Sequence, residues 1–227
     1  MRVLTTVVRQ GSSEVGSVLV KVGYPALGWL LKAAIFYHQV EFAKLLLDAG
    51  ADVSDNNATK HFEHRCQAAP LHLAVFNGDI GLMELLLDAG ADIEGHDEDG
   101  RNPISHAISF HGHPFPFNNG FRKSSSGSRE ASEFLLTCGA NVNLAGSLSM
   151  DFILVACMEN FMVDTFVARG AYVRAVDMDQ WTPLHVAAQH RHGAEGPIDT
   201  LLETGADVAA ADNFGCTALC YGVVKET

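Results

Sequence analysis

Residues Leu45–Asp52 read LLLDAGAD, and residues Leu85–Asp92 read LLLDAGAD again, letter for letter. Looser copies follow at Phe134–Asn141 (FLLTCGAN), Phe166–Val173 (FVARGAYV) and Leu201–Val208 (LLETGADV). A second phrase precedes each copy: WLLKAAI at Trp29–Ile35, APLHLAV at Ala69–Val75, NPISHAI at Asn102–Ile108, SMDFILV at Ser149–Val155 and TPLHVAA at Thr182–Ala188. A last one, TALCYGV at Thr217–Val223, has no second phrase after it. Recurrence at a period of about 20–50 residues marks a stacked array, because one such unit cannot bury its apolar face alone.

The residue types explain how each unit folds. Leu82, Met83, Leu86 and Leu87 fall at helical spacing and make one apolar stripe. Gly90 then supplies the left-handed conformation that ends a helix. Thr182 is placed to cap the other helix, with Pro183 in the first turn, where a missing N–H costs nothing. Ala187 and Ala188 are small enough for neighbouring helices to approach closely. The segment Asp92–Arg101 (DIEGHDEDGR) is polar and turn-rich, and it reads as a projecting hairpin.

These paired phrases resemble the ankyrin repeat, in which a TPLH turn opens the first helix and an LLL..GAD segment ends the second. The resemblance implies an all-α repeat solenoid of stacked helix-turn-helix units with projecting β-hairpin fingers, truncated or degenerate at both ends. It runs through residues 1–227 as a single array. The blocks are 1–25 (partial), 26–58, 59–96, 97–143 with an insertion at 111–128, 144–176 (degenerate), 177–211 and 212–227 (partial). In the first block, Gly11 and Gly23 keep the family's spacing across the second helix, with Val15, Val18, Leu19 and Val20 at its apolar positions. In the degenerate block, Asp151 falls where the pattern wants an apolar residue. Both ends cut through a repeat and would leave Val7, Val8, Val223 and Val224 as apolar edges, which points to self-association through the truncated ends or to a longer array. His72 and His185 fill the TPLH position, where the family's histidine makes structural hydrogen bonds with its turn.

Composition narrows the function. The formal charge of −12 repels phosphate backbones, so no nucleic-acid partner is expected. No apolar run reaches membrane-spanning length, and five cysteines without a CxxC motif suit reduced thiols in the cytoplasm or nucleus. Histidines concentrate in KHFEHRC (Lys60–Cys66), in HGHPFPFNNGFRKSSSGS (His111–Ser128) and in HRHGAEGP (His190–Pro197). The first lies on a finger and the HxH pairs of the other two near the opposite end, so the reading assigns no metal and no cofactor. The RKSSSGS half of the long insertion reads as a flexible polar string. The sequence lacks nucleophile-elbow, zincin, P-loop and dinucleotide motifs. A catalyst would have to combine His64, His113 or His190 with Glu98, Asp99 or Asp179, and nothing in the sequence brings these together.

The resemblance implies partner binding on the concave face formed by finger tips and first-helix ends. Carried onto this chain, those positions are Phe36, Tyr37, Phe76, Asn77, Glu98, Asp99, Arg101, Ser109, Phe110, Met178, Asp179, Trp181, Gln189, His190, Asn213 and Phe214. Aromatic residues, Met and Arg are the types enriched at energetic hot spots. The aromatics at Phe36, Phe76 and Phe110 recur at one repeat position and serve equally well as an inter-repeat ladder. Interleaved acidic residues point to a protein partner with basic and apolar groups. The expected function is a protein-interaction module or scaffold that binds through its concave groove. The alternative is an ankyrin-fold enzyme or small-molecule binder using the His and carboxylate residues near the insertions.

Overall fold

The computed structural model describes residues 6, 8–55, 68–97, 100–108, 125–143, 157, 162–189 and 195–223. Eleven helices are assigned among them. The chain divides into two compact units, Met1–Cys138 and Gly139–Thr227. The first unit contains α1 (Ser13–Lys21), α2 (Leu27–Phe36), α3 (Val40–Asp48), α4 (Pro70–Asn77), α5 (Ile80–Asp88), α6 (Pro103–Ile108) and α7 (Ser125–Thr137). The second contains α8 (Val163–Ala168), α9 (Pro183–Gln189), α10 (Glu195–Glu203) and α11 (Ala218–Val223).

Within the first unit, helices pair as α2 with α3, α4 with α5 and α6 with α7, while α2, α4 and α6 pack side by side. The apolar stripe read from the sequence is the packing face: Leu82, Met83 and Leu86 of α5 are fully buried. Asp79 caps this helix, its Oδ1 accepting from the Leu82 N–H at 3.1 Å. The two identical octapeptides end their helices identically. Gly50 and Gly90 take φ of 85° and 89°, and the amides of Ala51 and Ala91 each donate to a leucine carbonyl five residues back at 2.9 Å.

Several expectations change on contact with the structure. Helical residues Thr6 and Val8 to Gln10 precede α1 in the block read as partial, and Val8 is fully buried rather than an exposed edge. In α1 the buried position is Gly16, whereas Val18 is 57% exposed. The cause is packing: a side chain at Gly16 would overlap the Phe42 ring of α3. Ser125 to Ser128, read as part of a flexible string, open the first turn of α7. Among the described residues the fingers carry turns, and the isolated bridge Ala211–Thr217 is the β structure assigned. Residues 60–66, 111–124 and 190–194 lie outside the described residues, as does Asp151.

Candidate functional site

A single loop design shapes the finger tips, and it begins with an aspartate. The Asp97 amide donates to the Arg101 carbonyl at 2.9 Å, while Asp97 Oδ1 accepts from the Arg101 amide at 2.8 Å. Asp177 and Trp181 repeat both bonds at 3.1 and 2.8 Å, and Asp212 and Cys216 repeat them at 2.9 and 2.9 Å. A carboxylate oxygen thus does locally what a facing strand would do in a hairpin. The residue before the closing one is left-handed in each loop: Gly100 at φ 70°, Gln180 at 62° and Gly215 at 75°.

Each loop is then fastened to its neighbours by rings. His72 Nε2 donates to the Arg101 carbonyl at 2.9 Å, and His185 Nε2 donates to the Cys216 carbonyl at 3.1 Å. Both TPLH histidines therefore lace one repeat to the next finger, beyond the bonds with their own turn that the resemblance implies. At the following helix position, His106 Nε2 donates to Asp97 Oδ2 at 2.7 Å and the Tyr221 hydroxyl donates to Asp212 Oδ2 at 2.5 Å. These bonds leave their marks on acidity. Burial works against the Asp97 anion, yet the His106 and Arg101 bonds hold its carboxyl below the ordinary range. Accepting the Tyr221 bond lowers Asp212 and pushes the Tyr221 hydroxyl up to about 12. Burial, then the neighbouring His106, depresses His72 from 6.5 to about 4.

The expected partner-facing residues sort by exposure. In the first unit Phe36 and Tyr37 are half-buried, their rings edge to face at 5.2 Å. Phe76 is half-buried, and Asn77 is committed to the Ile35 carbonyl through Nδ2 at 2.7 Å. Arg101 is half-buried with its Nε 3.6 Å from Asp97 Oδ2. Glu98, Asp99, Ser109, Phe110 and His190 lie outside the described residues.

In the second unit the tips present apolar surface. Met178 and Phe214 are each 78% exposed, with exposed Asp179 and Asn213 between them in the chain order of the two tips. Asn213 clasps the tips together: its amide donates to the Asp179 carbonyl at 3.1 Å and its Nδ2 to the Met178 carbonyl at 3.1 Å. Behind them Trp181 is half-buried, its ring centroid 4.7 Å from Tyr221 and 6.2 Å from His185. Gln189 is half-buried at the end of α9. Sequence reasoning missed Asp177 and Asp212 as organisers of this surface. Their signal was present as an aspartate five residues before each helix-opening Thr.

His72 and His106 are 1% and 7% exposed, enclosed at the heart of the first unit. Among the described residues no group of three or more His, Cys, Asp or Glu is placed to hold a metal ion. Of the residues that a catalyst would need, His64, His113, His190, Glu98 and Asp99 lie outside the described residues, and Asp179 sits on an exposed tip. No described helix is long and apolar enough to cross a membrane.

Comparison with known proteins agrees with this architecture. A family model described as "Ankyrin repeats (3 copies)" matches residues 30–115, and one described as "Ankyrin repeat" matches residues 179–213. A curated relative, the Ankyrin repeat and LEM domain-containing protein 1 homolog of Caenorhabditis elegans, is 44% identical over 61 residues. That stretch is 27% of this chain and 8% of the relative, so the chain matches a small part of that protein's length. Among solved structures, the ankyrin repeat domain of Bcl-3, titled a unique member of the IkappaB protein family, superposes with a TM-score of 0.72 at 22% identity, covering 95% of this chain and 91% of that one. Repeated phrases, laced helices and matched models lead to one statement: the chain belongs to the ankyrin repeat family.

Proposed function

We propose that this protein is an interaction module that seats a protein partner on the clasped finger tips of its second unit. The observation that carries the reading is the pair of exposed apolar side chains, Met178 and Phe214, on tips that Asn213 ties together. Large apolar groups held out by a polar loop are what a partner's hot spot pairs with. Asp179 beside them favours a partner with basic as well as apolar groups. Trp181 braces the patch from behind through Tyr221 and His185. The four described cysteines are unbridged, which supports work in the cytoplasm or nucleus.

The test is quantitative capture from cell extract with wild type beside Met178→Ala/Phe214→Ala. Both side chains are exposed, so the variant keeps its fold. Loss of two hot-spot contacts weakens a bound protein by about 30-fold, or ~2 kcal/mol. An unchanged set of captured proteins would remove the tips from consideration.

A further inference from the structure

We propose that Met178 is a redox-sensitive modification site whose oxidation to the sulfoxide switches off docking at the finger tips, a role that rests on the docking assigned to those tips above. Three methionines fall among the described residues. Met83 is fully buried and Met162 is 5% exposed, whereas Met178 is 78% exposed. An oxidant in solution meets one thioether of the three. Met83 and Met162 sit in packed interiors, where an oxygen placed on sulfur would be buried without a hydrogen-bond partner. Met178 stands on a loop beside exposed Asp179, where water solvates the same oxygen.

The loop does not need the sulfur to hold its shape. Asp177 Oδ1 accepts from the Asp179 and Trp181 amides at 2.9 and 2.8 Å. The Met178 carbonyl accepts from Asn213 Nδ2 at 3.1 Å, and the Asp179 carbonyl accepts from the Asn213 amide at 3.1 Å. Oxidation therefore leaves the clasp in place and changes what the tip presents. A thioether is soft and apolar, and a sulfoxide is polar with a strong acceptor oxygen. Beside Phe214, the change turns half of an apolar pair into a group that an apolar hot spot has to desolvate.

The step balances with a peroxide as oxidant. The sulfur lone pair attacks one peroxide oxygen, and the S–O bond forms as the O–O bond breaks. The thioether gives up two electrons, and hydrogen peroxide leaves as water after a proton shift. A methionine sulfoxide reductase reverses the change, using two thiols and releasing the oxygen as water.

The test treats the folded chain with hydrogen peroxide and then with dithiothreitol. The thiol returns sulfenic acids and disulfides at exposed Cys138 and Cys220 to cysteine and leaves sulfoxides untouched. Peptide mapping is expected to find Met178 oxidised while Met83 and Met162 stay reduced; conversion of all three in step overturns the proposal. The treated chain is then used for capture from cell extract, beside Met178→Leu, which keeps the apolar bulk and cannot form a sulfoxide. The readout is the set of proteins that wild type captures and Met178→Ala/Phe214→Ala loses. Oxidation lowers that set about tenfold in wild type, leaves it unchanged in Met178→Leu, and is undone by reductases for both sulfoxide epimers. Equal capture by oxidised and reduced wild type, or an equal loss in Met178→Leu, overturns the switch and leaves the finger-tip reading standing. A double variant that captures everything wild type captures removes both.

Discussion

His72 and His185 occupy the same repeat position, yet only one of them is fully satisfied. His185 Nδ1 accepts from the Thr182 amide at 3.2 Å and lies 2.8 Å from its hydroxyl. Ala69 stands where Thr182 stands, α4 has no side-chain cap, and His72 Nδ1 has no hydrogen-bond partner. Ala69→Thr restores both the cap and the missing partner. Urea unfolding of the variant is expected to show a gain of about 1 kcal/mol, the usual worth of a threonine cap. No gain would mean that the threonine hydroxyl cannot reach the ring.

The same ring makes stability depend on pH. With a folded pKa of about 4 against 6.5, the unfolded chain takes up a proton through a window in which the folded chain does not. Stability is therefore full above this window, falls as pH drops from 6.5 to about 4, and is lower by about 3 kcal/mol at the bottom. His72→Gln keeps a donor for the Arg101 carbonyl and removes the titration. Its urea midpoint is expected to change less between pH 7 and pH 4.5 than that of wild type. Parallel slopes would assign the acid sensitivity elsewhere.

At the scale of the helix, α1 shows what periodicity leaves out. Its valines have helical spacing, but burial goes to Gly16 because the Phe42 ring of α3 occupies the space above it. A stripe says which residues can face a neighbour; the neighbour's largest side chain decides which do. Gly16→Ala adds helix propensity, but forces the methyl into the ring. Thermal unfolding is expected to show a net loss of about 1–3 kcal/mol, the usual cost of overpacking. A more stable variant would show that Phe42 moves aside freely. The fingers teach a related lesson. Their polarity announces a turn, but whether a cross-strand ladder or an aspartate oxygen closes it depends on one residue, the Asp of each loop.

Across the whole chain, the fold was legible because two phrases recur with their helix stops intact, and identical letters at Leu45–Asp52 and Leu85–Asp92 make identical bonds. The site was legible only in part. Phe36, Phe76 and Phe214 all fall on predicted partner-facing positions, yet the first two are half-buried and the third is 78% exposed. Repeat position tells where a ring starts, and only the packed neighbours tell whether it is covered.

The Asn213 clasp has a consequence for any ligand of the two tips. Both of its bonds go to backbone carbonyls of the preceding finger, so the loops carrying Met178 and Phe214 share one set of motions. Ordering such loops at the moment of association would cost conformational entropy, on the order of 1 kcal/mol for each residue fixed. Here part of that cost falls on folding, which makes the two bonds of Asn213 before any ligand arrives.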